Sequence, residues 1–128
     1  MSDWVWIETA LVSAIHDRQL AEWGGPPGVR DPGALESALA RPKNLAVYGE
    51  ADAPQLATSY ASGIVRNHPF VDGNKRTAWV LARLFLMANG VEFRFDKADA
   101  TRTMERLAAG DVTEDEFAEW IRLRIQPS

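Results

Sequence analysis

The stretch that most constrains the fold is "NKRTAWVLARLFLMANG", at residues 74–90. It is long enough for about four helical turns, and apolar residues stand on nearly every side of it. A helix with so little polar surface must be covered by its neighbours. Gly90 suits the left-handed position that follows a helix end. The stretch therefore predicts a central, buried helix that begins at Asn74 or Lys75 and ends near Asn89.

Apolar periodicity, capping residues and Gly/Pro breakers predict further helices around it. The predicted helices run over residues 4–23, 32–41, 52–67, 74–89, 97–109 and 114–125, with N-caps at Asp31, Asp96 and Thr113. Asp52 and Pro54 begin the third of them. Residues 41–54 are ambiguous, and "VEFRF" at 91–95 alternates like a short strand or an extended segment. The sum is a mainly α fold: a compact bundle of five to six helices around a central buried helix, with little or no strand.

Composition narrows the class of protein. At 128 residues and 46% hydrophobic content, we expect one domain over residues 1–128. The absence of cysteine excludes disulfides, cysteine metal sites and a cysteine nucleophile. A net charge of -4 offers no basic face, so we expect no direct nucleic-acid binding. The N-terminus lacks a basic signal-peptide region, and no apolar stretch reaches the roughly 20 residues that span a membrane. We expect a cytoplasmic protein without a membrane partner.

The motif "HPFVDGNKR", at residues 68–76, concentrates polar chemistry directly before the predicted core helix. Free backbone N–H groups and the helix dipole make such a helix start an anion site. Gly73 lets the backbone approach a ligand closely, because it has no Cβ. Lys75 and Arg76 place positive charge at the positive end of the helix dipole, which is unfavourable unless an anion binds there. These features indicate a phosphate ligand.

The remaining motif residues add the parts of a transfer site. Asp72 supplies the oxygen ligands that Mg²⁺ prefers when it also binds phosphates. His68 is the motif residue suited to accept a proton from an attacking hydroxyl. Asn74 can donate to a phosphoryl oxygen or fix the loop, and Phe70 anchors the loop in the core. We therefore predict a phosphoryl-type transfer site. The alternative is a polar loop that merely caps the helix, with Asp72 as its N-cap.

"HPFVDGNKRTA" resembles the signature loop of the Fic/Doc superfamily, and its Asn-Lys-Arg form is that of death-on-curing (Doc) toxins. The segments "HDRQLAEWGGPPGVRDPGALESALARP" and "LFLMANGVEF" resemble this family as well, so the likeness covers most of the chain. The resemblance implies the Fic/Doc helical fold.

The resemblance also implies roles for individual residues. The implied catalytic and nucleotide-binding set is His68, Asp72, Gly73, Asn74, Lys75 and Arg76. His68 would be the general base on the target hydroxyl, and Asp72 would hold the Mg²⁺ that bridges the nucleotide phosphates. The backbone amides from residue 73 onward would form the anion hole, and the two cations that follow would bind the phosphates of ATP.

Two departures from AMP-transferring Fic enzymes bear on the reaction. Lys75 stands where those enzymes have a second glycine, and Trp79 stands where they have a final arginine. The resemblance to Doc toxins implies a kinase that moves the γ-phosphate of ATP to a threonine of elongation factor Tu, which stops protein synthesis. Gly73 is Fic-like, whereas Doc loops often have alanine there. AMP transfer therefore stays an alternative, as does a catalytically silent module that binds nucleotide or antitoxin.

The resemblance further implies a partner. "TRTME" at 101–105 is followed by Arg106, so it does not fit the inhibitory glutamate motif of many Fic enzymes. We expect restraint by a separate Phd-like antitoxin that folds onto an apolar groove, as in a type II toxin-antitoxin system. "NLAVYGE" at 44–50 lies where Fic proteins carry a flap that aligns the target by strand addition.

Other distinctive residues have simpler interpretations. His16 is predicted to make a structural polar contact rather than to bind a metal. Trp79 is predicted to pack in the core. The other tryptophans are also predicted as core, with exposed ones as candidates for the antitoxin groove: Trp4, Trp6, Trp23 and Trp120.

Overall fold

The computed structural model describes residues 3–127 as six helices. They are α1 (Thr9–Trp23), α2 (Pro32–Tyr48), α3 (Ala53–Asn67), α4 (Asn74–Ala88), α5 (Lys97–Ala109) and α6 (Glu114–Arg122). The β structure in this range consists of two isolated antiparallel bridges, Val29–Phe70 and Phe93–Ile125. The predicted mainly α bundle is confirmed. No helix within residues 3–127 has the length and apolar character needed to cross a membrane.

The helix starts follow the capping residues in the sequence. Four N-cap side chains accept a backbone N–H from their helix: the three predicted ones, Asp31, Asp96 and Thr113, and also Asp52. Thr113 and Glu116 form the predicted capping box, with hydrogen bonds of 3.0 and 3.1 Å. Helices α4 and α5 are followed by Gly90 and Gly110, both with positive φ. Local chemistry thus sets most of the boundaries.

Helix α2 continues past the predicted end at Arg41 and runs through Pro42 to Tyr48. A proline inside a helix removes one hydrogen bond and costs about 3 kcal/mol. Here Pro42 is buried on the same face as Leu39, and Ala46 extends that face against the core. Burial of this longer face offsets the cost of the proline. The residues interpreted as a flap therefore belong mostly to a helix.

The prediction that residues 74–89 form the central helix is wrong, because α3 occupies that place. Helix α3 packs against α2, α4, α5 and α6, and its residues 53–65 are buried except for Gln55. Helix α4 leaves Arg83 exposed and Met87 70% exposed. Small residues explain the difference, since positions such as Gly63 let neighbouring helices approach α3 closely.

The N-terminal segment is extended up to Glu8, whereas the sequence predicted a helix from residue 4. The N–H of Ile7 donates to the hydroxyl of Tyr60 at 3.0 Å, and the backbone of Val5 pairs with the Asn89 side chain at 2.8 and 3.1 Å. Burial of the Tyr60 phenol raises its pKa. These distant side chains satisfy backbone groups that a helix would otherwise use, which explains the extended conformation.

The aromatic residues largely pack as predicted. Trp4 and Trp6 each lie 5.8 Å from the ring of Phe85, and all three belong to or border the core. Trp79 and Trp120 are also half-buried against the core, with ring centroids 6.2 Å apart. The exception is Trp23, the last residue of α1, which is 59% exposed.

Helix α6 ends at Arg122, earlier than the predicted end at Ile125. Ile125 instead forms the isolated bridge with Phe93, and Gln126 N–H donates to the carbonyl of Glu92 at 2.9 Å. Residues 91–95 are therefore extended, as one of the two predicted alternatives. Phe93 and Phe95 pack on Trp79, which accounts for the early end of the helix.

Substitution of Gly63 tests the close packing of α2 on α3. A Cβ at this position would lie 3.1 Å from the Cβ and 3.3 Å from the carbonyl oxygen of Ala38. Gly→Ala inside a helix normally stabilises by about 1 kcal/mol, but overpacking costs about 1–3 kcal/mol. We expect Gly63→Ala to lower the free energy of unfolding, measured in urea, by roughly 1 kcal/mol.

The matched control is Gly33→Ala in α2, where the added Cβ meets only Asp31 Oδ1, at 3.5 Å. This variant should be as stable as the wild type or more so. If Gly63→Ala were also stabilising, the close approach of the two helices would be contradicted.

Candidate active site

The residues predicted for the site line one cleft at the junction of α3, α4 and the end of α1. The cleft has a volume of about 460 Å³. Its walls include all six predicted residues: His68, Asp72, Gly73, Asn74, Lys75 and Arg76. Trp23, Gly24, Gly25 and Val71 complete the lining. The structure thus brings the whole predicted set together and adds residues from the end of α1 and the loop behind it.

His68 occupies an unusual backbone conformation. Its φ and ψ are 46° and 56°, and it is the only non-glycine residue with positive φ in the described range 3–127. Pro69 disfavours the right-handed helical conformation for the residue before it, so α3 ends here as predicted. The side chain is exposed and makes no hydrogen bond to another described residue. Its ring nitrogens are therefore open to the cleft.

The backbone of the motif is paired with the loop between α1 and α2. The N–H of Arg30 donates to the carbonyl of Pro69 at 2.7 Å, and the N–H of Val71 donates to the carbonyl of Gly28 at 3.1 Å. The Arg30 guanidinium also donates to the carbonyl of His68 at 2.8 Å. Arg30 was not predicted as a site residue, because a contact across 38 residues leaves no local signal.

Asn74 fixes the loop, which is the second of its two predicted roles. Its side-chain oxygen accepts the N–H of Phe70 at 3.1 Å, and its side-chain nitrogen donates to the carbonyl of Phe70 at 3.0 Å. Phe70 is buried, as predicted. Val29 lies opposite Phe70 in the bridge, so its own N–H and carbonyl point outward. The site therefore has an open backbone edge on one side.

Asp72 does not cap α4, so that part of the alternative interpretation is wrong. The N-cap is Gly73, with φ 78° and no side-chain capping bond. Asp72 Oδ1 accepts the N–H of Gly73 at 2.8 Å. Asp72 Oδ2 lies against Gly25, where an added Cβ would be only 2.4 Å away. Gly25 thus makes room for the carboxylate, and the "GG" pair was its only signal in the sequence.

The N-terminus of α4 is electropositive. Its first helical hydrogen bond runs from the N–H of Thr77 to the carbonyl of Gly73, so the amides of residues 74–76 precede the helical ladder. The first turn contains no acidic residue. Lys75 and Arg76 are exposed, and neither forms an ion pair with another residue in the described range. This end of the helix is suited to an anion from outside the chain.

Trp23 is the aromatic residue of this site; the sequence predicted it as core or, if exposed, as a candidate for the antitoxin groove. It is 59% exposed, and the guanidinium carbon of Arg76 lies 5.3 Å from its ring centroid. A cation over an aromatic face is attracted by the ring, so Trp23 helps to hold Arg76 at the cleft. Its position as the last residue of α1, before two glycines, places it at the rim.

His16 makes the structural polar contact that was predicted, and its partner is the motif itself. Its Nε2 lies 2.7 Å from the carbonyl oxygen of Asp72. Its ring stacks on Phe70, with centroids 3.8 Å apart and an angle of 10° between the planes. The side chain is buried. Helix α1 therefore supports the loop from below.

A second cleft, between α4 and α5, adjoins the first. It has a volume of about 310 Å³ and shares Lys75 and Arg76 with the candidate site. Trp79 and Met104 give it apolar surface, and Glu105 lies on its α5 side.

No group of three or more histidine, aspartate or glutamate side chains is placed to hold a metal ion within residues 3–127. A divalent cation at the candidate site would therefore have Asp72 as its protein carboxylate. One carboxylate oxygen that accepts no hydrogen bond from a described residue, beside a helix start suited to an anion, is a donor set that fits Mg²⁺, which commonly binds one or two carboxylates and substrate phosphates.

Comparison with known proteins identifies the family of the chain. Residues 6–86 match the Fic/DOC family, a range that contains the whole motif loop. The chain is 34% identical over 110 residues to "Protein kinase doc" of Escherichia phage P1, covering 85% of this chain and 86% of that protein. It is 43% identical over 101 residues to "Toxin Doc" of Mycolicibacterium smegmatis, covering 75% and 77% respectively. The chain belongs to the Fic/DOC family, as a Doc-type member.

Proposed function

We propose that this protein is a Doc-type toxin that transfers the γ-phosphate of ATP to a hydroxyl group of another protein. One observation carries the proposal: an imidazole with no hydrogen bond to a described residue, a carboxylate and an electropositive helix start meet in a single cleft. The names of its relatives, a protein kinase and a toxin, support both parts of the proposal.

The N-terminus of α4 would bind the phosphates of ATP. The amides of residues 74–76 lack helical partners, and the helix dipole adds positive potential at the same place. Lys75 and Arg76 supply charges that are not neutralised by another described side chain. Phosphoryl transfer depends mainly on positioning and on neutralising oxygen charge, and these groups supply both.

Asp72 would hold Mg²⁺, since its Oδ2 accepts no hydrogen bond from a described residue. The chemistry supplied by the ion would be neutralisation of part of the negative charge on the phosphates. Gly73 allows the backbone to follow the phosphate closely at φ 78°, a conformation that glycine adopts without strain.

His68 would act as the general base. Its ring would accept the proton of the target hydroxyl while that oxygen bonds to the γ-phosphorus. The bond from the γ-phosphorus to the β–γ bridging oxygen then breaks, and ADP leaves with the electron pair. The Arg30 hydrogen bond to the His68 carbonyl holds the backbone from which the base projects.

The target segment would lie along the outer edge of Val29. This residue is 42% exposed, and its outward N–H and carbonyl can pair with an extended peptide. The earlier candidate for this role, residues 44–50, is excluded from it by position. Tyr48 precedes the N-terminus of α3 and His68 follows its C-terminus, so about 22 Å of helix separates them.

We further propose the biological setting that the family resemblance implies. The substrate would be a threonine of elongation factor Tu, and its modification would stop translation. A Phd-like antitoxin would restrain the toxin, and the protein would act in the cytoplasm. AMP transfer is the second candidate reaction, and the observation that favours it is Gly73, the Fic-like residue at the start of α4.

The central test is the mass of the target after reaction. Purified elongation factor Tu, ATP and Mg²⁺ are incubated with the protein, and the target is weighed by mass spectrometry. We expect the increment of one phosphate group. The increment of AMP would replace the kinase by the second candidate reaction, and no increment on this or any extracted protein would contradict both.

Replacement of His68 tests the base. Asparagine tolerates the left-handed conformation of this position better than alanine does, and it cannot serve as a base of similar strength. We expect His68→Asn to lower the transfer rate at least about 100-fold with an unchanged melting temperature. The control is Asn67→Ala, the adjacent exposed side chain, which does not line the cleft. Transfer at the wild-type rate in folded His68→Asn would show that the base lies elsewhere.

Two neighbouring glycines offer a matched test of Asp72. Gly24 and Gly25 both have positive φ, so alanine at either position costs about 1–3 kcal/mol of strain. Only at Gly25 would the new Cβ displace the Asp72 carboxylate, since Gly24 has no atom within 4 Å of that position. We expect both variants to lose similar stability, and Gly25→Ala alone to lose about 10- to 100-fold in transfer rate. Equal rates would show that the placement of Asp72 does not matter.

Lys75 is tested by separating its bulk from its charge. Lys75→Met keeps a side chain of similar length, whereas Lys75→Gly opens the space that AMP-transferring enzymes leave free. We expect both to weaken phosphate transfer, and only Lys75→Gly to produce AMP-modified target in the mass spectrum. AMP transfer by Lys75→Met would show that side-chain bulk at this position does not select the reaction. The absence of AMP transfer in both variants would show the same.

A further inference from the structure

We propose that His16 is a positioning residue, which directs the N–H of Gly73 toward the phosphate of the nucleotide. The inference rests on the proposed function insofar as it assumes phosphate at the start of α4. It assigns a task in that site to a side chain on α1 that lies 56 residues before the motif residue it contacts.

The geometry of His16 is that of a support for one peptide group. The side chain is 2% exposed, and its Nε2 lies 2.7 Å from the carbonyl oxygen of Asp72. A carbonyl oxygen only accepts hydrogen bonds, so Nε2 carries the proton and donates it. The parallel stack on Phe70, 3.8 Å between centroids, fixes the plane of the imidazole. Both restraints act on the loop from its buried side.

The bonded carbonyl and the N–H of Gly73 belong to the same peptide group. That group is planar, so fixing the direction of the Asp72 carbonyl also fixes the direction of the Gly73 N–H. In a trans peptide the two bonds point to opposite sides, so the N–H points away from the acceptor that faces His16. It donates to Asp72 Oδ1, a carboxylate of the cleft, at 2.8 Å. A phosphate oxygen in the cleft would accept the Gly73 N–H from the same side of the peptide.

This peptide would be the most mobile of the phosphate-binding amides without such support. The N–H of Gly73 precedes the helical hydrogen bonds and its φ is 78°, and glycine has the widest backbone freedom of any residue. A hydrogen bond to the carbonyl also polarises the peptide and strengthens its N–H as a donor. His16 therefore supplies both orientation and donor strength.

Packing alone does not explain a histidine here. A phenyl ring would fill the same space against Phe70 without burying a polar group that must be satisfied. Val12, one turn earlier on the buried face of α1, is an example of an apolar side chain that fills this face. The nitrogen of His16 is used on the Asp72 carbonyl, which is where the phosphate-binding backbone begins.

The test separates the hydrogen bond from the stack. His16→Phe keeps an aromatic ring on Phe70 and removes the donor, whereas His16→Gln keeps a nitrogen donor at similar reach and removes the ring. Val12→Ala is the matched control, because it weakens the same buried face of α1 one helical turn before His16. Calorimetry measures the Kd for ATP with Mg²⁺, thermal melting measures stability, and amide NMR follows the Gly73 signal during the titration.

We expect His16→Phe to raise the Kd for ATP about five- to tenfold, the value of roughly one hydrogen bond. The Gly73 amide signal should move less on ATP addition in this variant than in the wild type. His16→Gln should restore the Kd to within about twofold. Val12→Ala should lower the melting temperature and leave the Kd unchanged.

Wild-type affinity in folded His16→Phe would overturn the inference. It would also fall if all three variants lost affinity in proportion to their stability, because His16 would then be only a part of the core. If the wild type bound ATP with the expected dependence on His16 but transferred nothing, the proposed function alone would fail. If the wild type bound no ATP, both would fail.

Discussion

The structure depends on the packing of α4 against α3, two helices joined by only six residues, 68–73. So short a connection forces the chain to reverse at once, and the C-terminus of one helix then stands beside the N-terminus of the other. Pro69 and Gly73 make the reversal possible, the first by ending α3 and the second by starting α4 at φ 78°. The left-handed conformation of His68 follows from the same constraint, and it projects the imidazole into the cleft.

A comparison of two helix starts explains why one of them is open to a ligand. Helix α6 begins with three acidic residues, and Glu116 completes its capping box. Hydrogen bonds from the backbone and the hydroxyl of Thr113 hold the pKa of Glu116 below its usual value. Helix α4 has no acid in its first turn and no side-chain cap, although the chain as a whole carries a net charge of -4. Acidic side chains of the chain itself compensate the N-terminal dipole of α6, whereas an anion from outside the chain would have to compensate that of α4.

The sequence predicted those features that neighbouring residues determine, such as the caps at Asp31 and Thr113, the end of α3, and the set of motif residues in the cleft. It did not predict features that depend on distant contacts. Passage of α2 through Pro42 depends on burial against α3, and the central place of α3 depends on close approach at Gly63. The hydrogen bond from Arg30 to the carbonyl of His68 joins segments 38 residues apart, so no periodicity or spacing could indicate it. His16 was identified as a polar contact, but its partner could be found only in three dimensions.

The hydrogen bonds of Arg30 join the loop before α2 to the start of the motif, so that the two segments move together. The backbone N–H of Arg30 holds Pro69 and its side chain holds the carbonyl of His68, while the adjacent Val29 presents the open edge. A displacement of that edge would therefore also displace the backbone of His68. Under the proposed function, the protein could not acquire a new target by remodelling this loop without losing its alignment. Changes of target specificity would have to come from exposed side chains such as Val29, on a backbone that stays fixed.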